Sequence, residues 1–88
     1  MAYVEIIWTK HALERQGQWE IKLGITRKEV EDLIRNPEQI VPGDQDIMVA
    51  QAKRRNGLLR ALFRPLDKDR KIVTLYWTSK VEKYWRAA

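Results

Sequence analysis

The alternation of apolar and polar positions divides the chain into short elements with distinct periods. Tyr3 to Trp8 is β-branched and aromatic and predicts an opening strand. Lys10 to Leu23 follows with Ala12, Trp19 and Leu23 near one helical stripe and Leu13 at its edge. Thr9 is placed to cap this helix, and Gly17 inside it is a possible break, because glycine costs about 1 kcal/mol against alanine there. Gly24 closes the segment, and Thr26-Arg27-Lys28-Glu29 is a capping box for a second helix. Val30, Leu33 and Ile34 form the apolar stripe of that helix, and Pro37 marks its end.

Beyond Pro37 the period shortens to two. Gln39-Ile40-Val41 is a short extended piece before a Pro42-Gly43-Asp44 turn. Three strand-like runs follow, Ile47 to Arg55, Leu58 to Arg64 and Lys71 to Ser79. They are separated by Asn56-Gly57 and Asp67-Lys68-Asp69, and Asn-Gly between two such runs signals a two-residue hairpin loop. Lys80 to Ala88 is either a short helix or an extended tail. The pattern predicts one α+β domain over residues 1–88, in the order β-α-α-β-β-β, with an αα-hairpin on one face of an antiparallel sheet.

A loop at Asn56-Gly57 sets a register. Arg54 then opposes Leu59, Ala52 opposes Ala61 and Ala50 opposes Phe63, and these share a small, apolar face with Met48. The other face pairs Lys53 with Arg60, Gln51 with Leu62 and Val49 with Arg64, and adds Arg55. Lys53 across from Arg60 is a like-charge pair, which either splays into water or holds an anion such as phosphate. On the last strand Val73, Leu75 and Trp77 are expected in the core and Thr74, Tyr76 and Thr78 on the open face.

Composition sharpens this picture. Lys and Arg number 17 against 12 Asp and Glu, for a formal net charge of +5. Residues 1–44 hold six cations and eight anions, and residues 45–88 hold eleven and four, so the surplus belongs to the strand-forming half. A basic half suits a polyanion or an acidic partner, or else simply keeps the surface solvated. With no cysteine and a single histidine, neither a thiolate site nor a multi-histidine metal centre is available, and no metal or cofactor is expected. No run is long enough to span a membrane, which points to a cytoplasmic protein.

His11 and Arg15 stand one turn apart at the start of the first helix, where they could act as proton donor and phosphate clamp or simply be solvated. Several segments follow one another along the chain: Trp8-Thr9-Lys10-His11-Ala12-x-x-Arg15, Gly24 to Val30, Asn36 to Ile40, Gly57 to Arg60, Ile72 to Ser79 and Tyr84. Together they resemble a small family of bacterial domains related to the RelE/ParE toxin superfamily. One departure is visible: Gln16 to Leu23 intervenes before the Gly-Ile pair, so the first helix is longer than is usual in that family.

The resemblance implies a RelE-like fold and the toxin of a toxin–antitoxin pair. Its activity would be metal-independent endoribonuclease cleavage of mRNA, commonly ribosome-bound, by 2′-hydroxyl attack on the adjacent phosphate. Its partners would be RNA and a cognate acidic antitoxin. By position, Lys53 and Arg60 match the strand cations of such toxins and Tyr84 the late aromatic residue, while His11 and Arg15 belong to the narrower family pattern. Arg54, Arg55, Arg64, Tyr76 and Lys80 are candidates for contact with nucleic acid. Trp85, beside Tyr84, is read as packing. The alternative is a non-enzymatic binding module, either a ParE-like gyrase inhibitor or an inactive, antitoxin-bound relative.

Overall fold

Thr9 shows how the first two elements are joined. Its hydroxyl oxygen accepts from the Ala12 amide at 3.1 Å, capping α1 (Lys10–Leu23), and its O–H donates to the Ile72 carbonyl at 2.9 Å. One side chain therefore starts the helix and pins it to the sheet. The computed structural model describes residues 4–87, so Tyr3 of the expected opening strand lies outside the described residues. The strand itself, β1, is Ile6–Trp8.

Helix α1 runs through Gly17 without a break and ends at Gly24, whose φ of 70° is the left-handed cap glycine adopts without strain. Thr26 caps α2 (Arg27–Arg35), accepting from the Glu29 amide at 3.2 Å, and Val30, Leu33 and Ile34 are all buried. Gln16, which the apolar stripe did not single out, is also buried. It donates to the Ile25 carbonyl at 2.9 Å and so ties α1 to the inter-helix link.

The sheet has five strands, one more than the pattern predicts. They are β1, β2 (Gln39–Pro42), β3 (Met48–Arg54), β4 (Gly57–Leu66) and β5 (Asp69–Thr78), in the spatial order β1-β5-β4-β3-β2. The short piece before Pro42 is a true edge strand, antiparallel to β3 with Gln39 opposite Gln51. The sheet is mixed rather than wholly antiparallel: β1 lies parallel to β5 at the other edge. A parallel neighbour needs a long crossover, and the helical layer lies on that connection.

The hairpin register also differs from expectation. Arg55 and Asn56, with φ of 53° and 59°, form the two-residue loop, and Gly57 is the first residue of β4, opposite Arg54. Trp77 explains the shift. A Cβ at Gly57 would lie 2.5 Å from the Thr78 carbonyl oxygen and 2.6 Å from the indole Cε2 of Trp77. Glycine is required there by a ring packed on the strand, not by the turn. The register moves by two residues, so the paired side chains of β3 and β4 keep their expected faces while their partners change, and Arg55 passes into the loop. Arg60 now opposes Gln51, and Lys53 opposes Leu58, so the expected Lys53–Arg60 and Val49–Arg64 pairs do not form. An irregularity at Leu62/Phe63 leaves Val73 unpaired and places Ile72, not Val73, in the core.

The core lies between the helices and one sheet face. Ala50, Ala52 and Ala61 have no exposed surface and let Ala12, Ile25, Val30 and Ile34 approach the strands closely. Trp8, Trp19 and Trp77 pack at its margins. The opposite face is crossed by a single helical turn, α3 (Val81–Tyr84), and the residues after it. No helix among the described residues is long and apolar enough to cross a membrane.

Candidate nucleic-acid interface

Three strands supply the residues of the open face. Gln51 on β3, Arg60 on β4 and Tyr76 on β5 lie side by side, because Gln51 opposes Arg60 and Arg60 opposes Tyr76. α3 then brings Tyr84 over them. The Arg60 guanidinium carbon is 4.0 Å from the Tyr84 ring centroid, and the two tyrosine rings meet edge to face at 6.3 Å.

Arg60 is only 9% exposed, and its partners are neutral. Its Nε donates to the Gln51 Oε1 at 2.9 Å and its Nη1 to the Tyr76 hydroxyl at 2.5 Å. Asp32, Glu31, Glu38 and Glu29 pair with Lys28, Arg35, Arg54 and Arg55, and no carboxylate among the described residues comes within ion-pair distance of Arg60. Buried cations usually have an acid beside them, since desolvating a charge without one is costly. Here no hydrogen bond engages Nη2 among the described residues, and a fork of N–H donors suits an oxyanion.

The two hydroxyls are tuned in opposite directions. Burial pushes the Tyr76 phenol above its ordinary value against the pull of Arg60. Tyr84 is held below the ordinary tyrosine range, first by a hydrogen bond from Tyr76, then by Lys83, with the Arg60 charge adding to both. Lys83 lies 5.2 Å from the Tyr84 ring. Arg60, Tyr76 and Tyr84, each expected from the sequence, are thus brought together.

The remaining candidates scatter. Lys53 is exposed at the rim, its ammonium 4.4 Å from the Trp85 ring centroid. Arg54 is paired with Glu38 at 3.0 Å, and Glu38 also accepts from the Lys53 amide. Arg55 does not lie on the open face: as a loop residue it reaches α2, donating to both oxygens of Glu29 at 2.6 and 2.8 Å. Arg64 is exposed four residues along β4 from Arg60, roughly 13 Å at strand rise, opposite Lys71. Lys80 is exposed at the start of α3. His11 and Arg15 are exposed on α1, in the helical layer on the other side of the sheet from Arg60.

Sequence reading passed over Gln51 and Gln39. Gln51 has no exposed surface and makes three hydrogen bonds, and Gln39 bonds both the amide and the carbonyl of Arg86. A lone glutamine in the run Val49-Ala50-Gln51-Ala52 was the available signal, since a buried amide demands partners.

No family model matches the chain, and no curated protein matches it. Among solved structures the chain is similar to the ribonuclease toxin BrnT of Brucella abortus, at a TM-score of 0.58 and 15% sequence identity. The match covers 89% of this chain and all of BrnT. At that identity the likeness is one of overall fold alone.

Proposed function

We propose that this chain is an endoribonuclease and the toxin of a toxin–antitoxin pair, cleaving RNA on the open sheet face. The observation that carries the reading is Arg60, a buried guanidinium without a carboxylate, with two hydroxyls of opposite tuning beside it. The fold shared with a ribonuclease toxin supports it.

In this mechanism the free N–H groups of Arg60 bind the non-bridging oxygens of the scissile phosphate. Tyr84, whose lowered pKa makes the phenolate accessible, takes the proton from the adjacent 2′-hydroxyl. The 2′-oxygen attacks phosphorus, the bond to the 5′-oxygen breaks, and the products are a 2′,3′-cyclic phosphate and a 5′-hydroxyl end. The leaving oxygen takes a proton from Lys83 or solvent. Arg60 stabilises the charge that develops on phosphorus, and Lys53, Arg64 and Lys80 steer the strand along the basic face. His11 and Arg15, across the sheet, stand outside this chemistry. The acidic antitoxin would act by covering the same basic face.

The test is cleavage of a defined RNA by the purified protein in EDTA, with end-group analysis. Cyclic phosphate ends are expected, and Arg60→Ala and Tyr84→Phe should each slow cleavage on the order of 100-fold. For the wild-type protein, the rate should rise with pH and level off below the ordinary tyrosine pKa, and Tyr84→Phe should abolish that rise. Undiminished cleavage by both variants would remove the site assignment. Inhibition of purified gyrase without RNA cleavage would favour the non-enzymatic alternative.

A further inference from the structure

The position of Tyr84 is not explained by its own helix. α3 is four residues long, has no side-chain cap and buries none of its residues, and a single turn is unstable alone. Among the described residues past Thr78, none pairs with a strand. Something else must hold Tyr84 against Arg60.

Two glutamines, Cα partners on neighbouring strands, supply that hold. Gln51 Oε1 accepts from Arg60 Nε, while its Nε2 donates to the Tyr84 carbonyl at 3.1 Å and to Gln39 Oε1 at 2.9 Å. Gln39 Oε1 also accepts from the Arg86 amide at 3.1 Å, and Gln39 Nε2 donates to the Arg86 carbonyl. The Gln39 side chain therefore offers Arg86 one donor and one acceptor, as a facing residue of an antiparallel strand would. The amide directions are forced. Flipping Gln51 would set its NH₂ against the guanidinium and its oxygen against the Tyr84 carbonyl.

We propose that Gln39 and Gln51 are positioning residues that dock residues 84–86 on the open face and thereby hold the Tyr84 phenol over the Arg60 guanidinium. Gln51 touches both members of the pair, so one buried amide sets their relative placement. Gln39 fixes the amide of Gln51 and anchors the chain two residues beyond Tyr84. The activity arm of the test rests on the ribonuclease reading. The structural arm does not.

Gln39→Met removes the clamp at the rim, where Gln39 is half-buried and the substitution conserves length. Gln51→Glu keeps an acceptor for Arg60 but loses both donors. In Gln39→Met, exchange of the Arg86 amide should accelerate at least about 10-fold, because its bond to Gln39 Oε1 is lost, whereas Gln51→Glu removes the donor to the Tyr84 carbonyl. NOEs between the Tyr84 and Tyr76 rings should weaken. Cleavage under Gln39→Met should fall about 10- to 100-fold in kcat with KM within about twofold, as misplacement of a reacting group predicts. In a Tyr84→Phe background Gln39→Met should slow cleavage no further, since it acts through the missing hydroxyl. A merely structural role would slow both backgrounds equally, and that result overturns the proposal. Unchanged NOEs and Arg86 exchange in Gln39→Met overturn it as well. Should the wild-type protein cleave no RNA, the ribonuclease reading falls, and the NMR measurements alone decide this one.

Discussion

Gly57 illustrates how one residue type can be selected for a reason other than the usual one. Its backbone is not in the left-handed region, which among the described glycines is occupied by Gly24. What matters is the missing Cβ, whose place is taken by the Trp77 ring and the Thr78 carbonyl. Trp77 in turn donates its indole N–H to the Arg54 carbonyl at 2.9 Å, so ring, strand and hairpin end are locked together. Gly57→Ala should therefore destabilise the protein by about 1–3 kcal/mol in urea unfolding, an overpacking cost. Asn56→Gly, at a position of positive φ, should stay within about 0.5 kcal/mol. If Gly57 were the turn glycine, the ranking would reverse. Arg60 makes the complementary point. The residue is disfavoured by its burial and tolerated because neutral groups solvate it, which leaves its charge uncancelled, as the proposed phosphate contact requires.

At the scale of elements, the β3–β4 hairpin is strapped to α2 by Arg55. The loop conformation directs this side chain away from the open face, and Glu29 in the first turn of α2 receives it bidentately. Glu29 raises the guanidinium pKa through that hydrogen bond. The pair is partly shielded, at 33% and 22% side-chain exposure, so it should exceed an ordinary surface ion pair. A double-mutant cycle on Arg55→Ala and Glu29→Ala should return a coupling of about 1 kcal/mol in unfolding free energy. No coupling would mean that hairpin and helix are held by the apolar core alone. α3 is the contrasting element. It has little internal stability, and its place is set by side chains of β2 and β3.

At the scale of the whole molecule, the surplus of positive charge is divided by pairing. Arg54 and Arg55 are neutralised by Glu38 and Glu29, while Lys53, Arg60, Arg64 and Lys80 are not paired with an acid among the described residues. The acids thus erase charge at the hairpin end and leave it on the open face. Glu38 is held below the ordinary carboxylate value, first by the Lys53 amide and then by Arg54. A lowered pKa contributes stability that is complete above the unfolded value, 4.5, and is lost as pH falls through the folded one. Because the group is largely exposed, the contribution should stay under about 1 kcal/mol after screening. Glu38→Gln should therefore cost a few tenths of a kcal/mol at neutral pH, and that cost should fade as the pH falls below 4.5 and the carboxylate is protonated in both states. A cost that persists at the acid end would mean that packing, not charge, is at stake.

The local signals were legible in the chain itself: both helix caps, the apolar stripe of α2, the α+β class and the two faces of the hairpin strands. Each depends on residues close in sequence or on a period that a shift of two leaves unchanged. The resemblance likewise picked out Arg60 and Tyr84, and the register parity placed Tyr76 on the same face. Tertiary structure alone decided the rest. The register followed from Trp77 packing on Gly57, twenty residues away. The fate of each arginine followed from whether an acid of another element reached it. The glutamine pair is the clearest case. Nothing near Gln39 or Gln51 in the chain announces that they hold Arg86 and Tyr84, because a hydrogen bond between distant residues leaves no period in the sequence.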